Sequence, residues 1–410
     1  MANHIPFVNT REDCRLLKRY YMDSDIVRVS LEKFGSIKSQ LPRGLTLWVD
    51  PGIDGCDHHL ENDAVSLPEY IKRFKEYEIF TNRAAITKPE FSRLKVFATD
   101  VLNRCWRLKP SWITIPQLPL IEDVSRNKIN MALTKATYEW KIETQFRGKL
   151  ILPLIFTHQK QLVGKTQWRP QADSALKRYH KVGADGVWVV DSSLSDQMGT
   201  GTFRNRFPSL IDLHRYIRSS LPKETIVVAG PYWGMNLILW ARGLCEYPAI
   251  GLGSAYKYYI PGGHLQKGKT RIALPPLRRW VVASPELRTW LNRCLKILNP
   301  KDIAYIELSK LRKKYDSLLP KDIAYIDLSE LKVKFDSLLN QSAAKDQVAK
   351  FYKNWFNKIE ATPVVGRSLA LYQDLSSAYI IGKQLPTMPR SGSSARRPER
   401  VAEYFMLNCL

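Results

Sequence analysis

Six short runs along the chain are almost continuously apolar or β-branched. They are LTLWVD (45–50), SWITIPQ (111–117), KLILPLIF (149–156), GVWVVD (186–191), TIVVAG (225–230) and AIGLGS (249–254), with EIFTNR (78–83) a weaker seventh. Their apolar residues do not alternate with polar ones, which is the pattern of strands buried on both faces of a parallel sheet. Between most of them lie stretches with helical spacing, such as FSRLKVFATDVLNRCWRL, SRNKINMALTKATYEWKIE, ADSALKRYHKVG and FPSLIDLHRYIRSSL. Strand and helix in repeated alternation predict an α/β architecture. A TIM-like (β/α)8 barrel fits the length best, and an open doubly wound sheet is the alternative. No G-x-G-x-x-G follows the first run, which weakens the dinucleotide-binding version, and no cofactor is expected.

The pattern changes near residue 298. PKDIAYIELSKLRKKYDSLL (300–319) is followed at once by PKDIAYIDLSELKVKFDSLL (320–339), identical at fifteen of twenty positions. This tandem duplication predicts two short helices on the outside of the barrel. Three segments are therefore expected: the barrel over 1–298, the repeat over 299–340, and a helical extension with a basic tail over 341–410.

Charge narrows the function. The chain of 410 residues carries a formal net charge of +24, and its hydrophobic content of 44% is that of a globular protein. A surplus of this size favours a polyanionic partner, nucleic acid first. No Asp or Glu occurs between Tyr247 and Pro285, where Lys257, Lys267, Lys269, Arg271, Arg278 and Arg279 are interleaved with Tyr256 and Tyr258. Cations for phosphates and rings for bases suit single-stranded or flipped-out nucleotides. No apolar run reaches the roughly 18 residues of a membrane span, and the first residues lack an apolar leader. The six cysteines show no C-x-x-C, so a cytoplasmic protein without a structural zinc site is expected.

In a parallel barrel the active site lies at the carboxyl ends of the strands. The predicted strand ends carry Asp50 with Asp54 after it, Gln117, His158 with Gln159, Asp191, the GPYWGMN segment with Tyr232, Trp233 and Asn236, and then Tyr256 and Tyr258. Each has a plainer reading: Asp191 as a helix N-cap, Asp54 as a turn residue, His158 as a structural histidine. Asp50 precedes Pro51, which disfavours a capping geometry there. The CDHHLEND segment (56–63) is the densest metal candidate, but adjacent histidines suit a site poorly, and no metal is expected. No G-x-S-x-G marks a serine hydrolase. Carboxylates beside a glycosidic carbon remain; they stabilise an oxocarbenium-like transition state and activate water.

The order of these motifs resembles the tRNA-guanine transglycosylase-like superfamily, over roughly residues 41–260. Asp50-Pro51-Gly52 stands where that family has an aspartate before a Ser-Gly-Gly turn. ITIPQLP with Gln117, ATYEWK with Trp140, LIFTHQ and VVDSS follow in order. The most specific echo is AGPYWGMNLILWARGLCEYPAIGLGSAY, with its shared ARG spacing. The chain departs from the family in two places. No acid stands near Pro248 to Gly251, where the family nucleophile would fall, and the C-x-C-x-x-C zinc site is absent. The resemblance implies the barrel and the N-glycosidic bond, and the departures favour hydrolysis over base exchange. The chain is most similar in kind to DNA-directed members such as anti-phage DNA glycosylases acting on modified bases. That comparison makes Asp50 the group that stabilises the sugar cation or orients water, with Asp191 the second choice and His158 and Gln117 reading or protonating the base. The target base would stack on Trp233 or Tyr232. A base-exchange transglycosylase and a non-catalytic nucleic-acid-binding protein are the alternatives.

Overall fold

The computed structural model describes residues 4–53, 88–120, 124–157, 162, 167–192, 201–232, 234–252, 270–298, 320–389 and 396–410. The chain divides into two compact units, Met1–Leu194 with Asn205–Gln266, and Ser195–Arg204 with Lys267–Leu410.

The first unit is a closed, all-parallel eight-stranded barrel. Its strands are β1 (Ile5–Val8), β2 (Ile26–Ser30), β3 (Thr46–Asp50), β4 (Trp112–Thr114), β5 (Lys149–Phe156), β6 (Gly186–Asp191), β7 (Ile226–Ala229) and β8 (Tyr247–Gly251). Closure comes from β1 lying beside β8, with Ile5 opposite Ala249 and Phe7 opposite Gly251. The helices between strands are α1 (Arg11–Tyr20), α2 (Leu31–Ile37), α3 (Lys88–Trp106), α4 (Val124–Thr144), α5 (Arg169–Val182), α6 (Gly201–Ser220) and α7 (Asn236–Ala241). The TIM-like (β/α)8 expectation is met.

Local chemistry explains the element ends. Thr10 and Asp13 form a capping box at the start of α1, the Thr10 hydroxyl accepting from the Asp13 amide at 3.1 Å and the Asp13 carboxylate from the Thr10 amide at 2.9 Å. Gly183 ends α5 in the left-handed region at φ 56°.

Two strands escape the sequence pattern. The run ending at Asp50 is the third strand of the barrel, preceded by β1 and β2. These are four and five residues long, and Arg28 interrupts the apolar run of β2. EIFTNR lies outside the described residues.

The barrel lumen is filled by one cluster drawn from all eight strands and from no helix: it includes Phe7, Trp48, Trp112, Trp188, Val190 and Ala249. Trp48 and Trp188 meet edge to face at 5.4 Å, and Phe7 packs against both, at 5.8 and 5.4 Å. Each fully buried side chain of this size contributes roughly 1.5–3 kcal/mol. The opposite faces of the strands, with Val27, Val49, Leu152 and Val189 among them, are buried as well.

The second unit departs from the expected division at residue 298. Residues 267–298 group with the C-terminal helices rather than with the barrel. They form a hairpin, β9 (Arg271–Leu274) and β10 (Arg279–Val282), and helix α8 (Pro285–Leu298). The reason is their apolar face: Ile272, Leu274, Val281, Trp290 and Leu291 share a core with Leu328, Phe335 and Leu385. The second repeat copy forms α9 (Pro320–Val333) and α10 (Phe335–Leu338), followed by α11 (Gln341–Glu360), α12 (Arg367–Gln384) and α13 (Arg400–Met406). That copy packs into the core of this unit; the first copy lies outside the described residues. Among the described residues no helix is long and apolar enough to cross a membrane.

Candidate active site

Successive residues of a strand face opposite sides of the sheet. On β3, Trp48 fills the lumen, so Asp50, two residues on, faces the lumen as well, at the carboxyl end of its strand. It is 2% exposed. The backbone turns directly after it. Pro51 cannot continue a ladder, and Gly52 sits at φ 68°, in the left-handed region that disfavours a side chain. The Gly52 amide donates to Asp50 Oδ1 at 3.1 Å. The turn chemistry thus belongs to Asp50; Asp54, expected to close it, lies outside the described residues.

The other oxygen, Asp50 Oδ2, forms an ion pair with Arg28, whose side chain is equally buried. Arg28 comes from β2, where Ile26 faces the lumen and Arg28 shares its side of the strand. Its guanidinium lies over the Phe7 ring at 4.7 Å and beside Trp188 at 5.3 Å. A guanidinium keeps its charge at any physiological pH, so this cation requires a counter-charge in the lumen, and Asp50 supplies it. Below them the Trp48 indole N–H donates to Thr114 Oγ1 at 2.9 Å. A carboxylate engaged through both oxygens is a poor free base. It is a preorganised charge, suited to stabilising a cation that develops beside it.

Asp191 does not join it. Trp188 and Val190 of β6 fill the lumen, so the next residue faces the opposite way, toward the helices. There Asp191 is fully buried and bound in fork fashion by Arg206 of α6, with Nη2 to Oδ1 at 2.6 Å and Nε to Oδ2. It is a counter-ion between sheet and helix there, on the face of its strand away from Asp50. Tyr232 is enclosed as well. It is fully buried, its hydroxyl donates to the Val189 carbonyl, and its ring meets His214 edge-on at 6.4 Å. Burial first, and then the charge of Asp191, push its phenol well above the ordinary range. It offers no face to a base. Burial also lowers the neighbouring His214 to about 3, so its imidazole is neutral.

Two residues expected at the substrate site, Gln117 and Asn236, serve as stitches. The Gln117 amide N–H donates to the Pro116 carbonyl at 2.6 Å and to the Asn130 carbonyl and Thr134 hydroxyl of α4, both at 3.2 Å. Its Oε1 stays buried without a hydrogen-bond partner among the described residues. Asn236 opens α7 and donates to the Ala249 carbonyl at 2.6 Å, tying that helix to β8.

The basic window divides. Lys257, Lys267, Lys269, Tyr256 and Tyr258 lie outside the described residues, as do His158, Gln159 and Trp233. Arg271 lies on the β9 hairpin, partly buried. Arg278 and Arg279 are corrected as phosphate cations. Arg278 pairs with Asp374 through two hydrogen bonds of 2.6 and 2.8 Å. Arg279 is 1% exposed and donates to the Arg397 and Pro398 carbonyls, and burial lowers it to about 10. Their partners lie about a hundred residues away, beyond the reach of a local charge reading.

Arg28, the ion-pair partner of Asp50, is the residue of this site missed in the sequence. Its signal is a lone cation inside IVRVS, at the same parity as the inward-facing Ile26. Among the described residues no group of three or more His, Cys, Asp or Glu is placed to hold a metal ion. No protein-family model matches the chain, and no curated protein matches it in sequence.

Proposed function

We propose that the barrel hydrolyses the N-glycosidic bond of a modified base in DNA, leaving an abasic site, and that it acts on phage DNA carrying such bases. The observation that carries this reading is the buried Asp50 carboxylate at the lumen's carboxyl end, held by Arg28 and the Gly52 amide. Loss of a base leaves positive charge on the sugar, and a fixed carboxylate nearby lowers that barrier. Water adds to the anomeric carbon while the base departs with the bonding electrons and takes up a proton. The engaged oxygens favour charge stabilisation over proton abstraction as the role of Asp50. The net charge of +24 and the resemblance to transglycosylase-like barrels supply the substrate class. The five described cysteines are free and buried, which suits a reducing compartment, and the proposal places the enzyme in the cytoplasm.

The test is incubation with phage DNAs carrying different base modifications, followed by abasic-site counting and mass spectrometry of released bases. Asp50→Asn is expected to lower release by roughly 10²–10³-fold, the range for loss of one preorganised electrostatic contact. Unchanged release by a folded Asp50→Asn protein removes the assignment. Incorporation of labelled deazaguanine without abasic sites would instead establish base exchange. Salt-dependent DNA binding with no base loss on any substrate would establish a non-catalytic binder.

A further inference from the structure

The second unit contains a cavity of about 710 Å³, within the range of small-molecule sites. Its apolar walls are Pro276, Ile323, Leu331, Phe351 and Ile381, contributed by the hairpin, the second repeat copy, α11 and α12. Its polar side comes mainly from one face of α11. Lys350, Asn354 and Lys358 recur every four residues, about 6 Å apart along the axis. All three are exposed, and Lys350 and Asn354 make no hydrogen bond or ion pair among the described residues.

Two features mark a site rather than a packing gap. Asp374 of α12 is 7% exposed and held by two cations, Arg278 at 2.6 and 2.8 Å and Lys358 at 2.6 Å. Burial alone would raise its carboxyl, but the charges of Arg278 and Lys358 bring it down to about 2. Two cations on one carboxylate leave a positive charge at the cavity wall, and Lys350 adds another. The second feature is Trp355, which is 2% exposed, lines the cavity and stacks on Phe351 at 5.7 Å. Its indole nitrogen is buried with no acceptor among the described residues, so Trp355 serves the cavity as part of its aromatic wall. Across the cavity, on α9, stand Asp327 and Glu330, the latter 3.8 Å from Lys334. These acids accept hydrogen bonds from donors on a ligand.

We propose that this cavity binds a nucleotide-sized organic anion, with its phosphate or carboxylate head on Lys350 and Lys358. Its apolar body lies against Leu331 and Phe351, and N–H donors on it face Asp327 and Glu330. The site stands on the second unit alone and is independent of the glycosylase reading.

Isothermal titration of the full chain with nucleoside monophosphates, an aromatic carboxylate (indole-3-acetate) and inorganic phosphate tests it. The expected result is binding of at least one organic anion, weakened at least tenfold in Lys350→Gln and in Lys358→Gln and unchanged in Lys345→Gln, a control on the same helix outside the cavity. Lys350 and Lys358 are exposed, so their variants fold. The tighter of the two organic arms identifies the head group. No binding by any organic anion overturns the proposal. So does binding that is equal in all three variants, or inorganic phosphate binding as tightly as the organic anions.

Discussion

Replacing Asp50 by asparagine removes one charge of a buried ion pair and strands the other. Arg28 is 2% exposed, lies against Phe7 and Trp188, and keeps its charge when its partner is gone. Its cation–π contacts offset part of the exposed cost, since such contacts contribute about 0.5–2 kcal/mol. Breaking a buried pair from one side costs about 3–5 kcal/mol, which for a barrel of this size lowers Tm by about 6–20 °C. Arg28→Met strands the carboxylate and is expected to cost a similar amount. The double variant Arg28→Met/Asp50→Asn removes both charges from the apolar lumen, so much of the single-variant loss returns. Urea denaturation followed by tryptophan fluorescence reads all four proteins, and Trp48, Trp112 and Trp188 lie in the lumen beside the pair. A strongly non-additive cycle, with a coupling above about 2 kcal/mol, is the expected result. Additive losses, or a cost below about 1 kcal/mol for Asp50→Asn, would refute the buried pair and with it the preorganised charge.

Asp191→Asn is expected to destabilise the barrel through the stranded Arg206 but to leave base release per folded molecule unchanged; a release defect beyond the folded fraction would return Asp191 to the reaction. His214 sets an acid limb. Its folded value of about 3 lies below its unfolded one, so its contribution is complete above pH 6.5 and is lost as pH falls toward 3. At pH 4.5 the loss is about 2–3 kcal/mol, visible as a steeper fall in urea midpoint between pH 7 and 4.5 for the parent than for His214→Phe. Burial raises Cys14 to about 11 and Cys294 to about 12. In a Cys56→Ser background, iodoacetamide at pH 8 is therefore expected to label the native chain at least about a hundredfold more slowly than the urea-unfolded chain. Equal labelling rates would contradict the burial of these thiols.

The strands from Leu45 onward were legible because a strand covered on both faces must be apolar at nearly every position, and a local window sees that. The barrel class followed from their alternation with helices. Asp50 was legible as a strand end followed by a proline and a glycine. Three things needed the folded chain. The face of a strand on which a residue lies depends on which parity lines the lumen, and that depends on closure of β1 against β8; this separates Asp50 from Asp191 although both end an apolar run. The strand β2 was hidden because its central Arg28 reads as polar until Asp50, from the neighbouring strand, neutralises it. The basic window overstated its free charge, because Asp374 and the Arg397 and Pro398 carbonyls reach Arg278 and Arg279 only through the packing of the second unit. Local pattern specifies which residues avoid water. The partner that satisfies a buried charge comes from anywhere in the chain, so only the tertiary structure selects it.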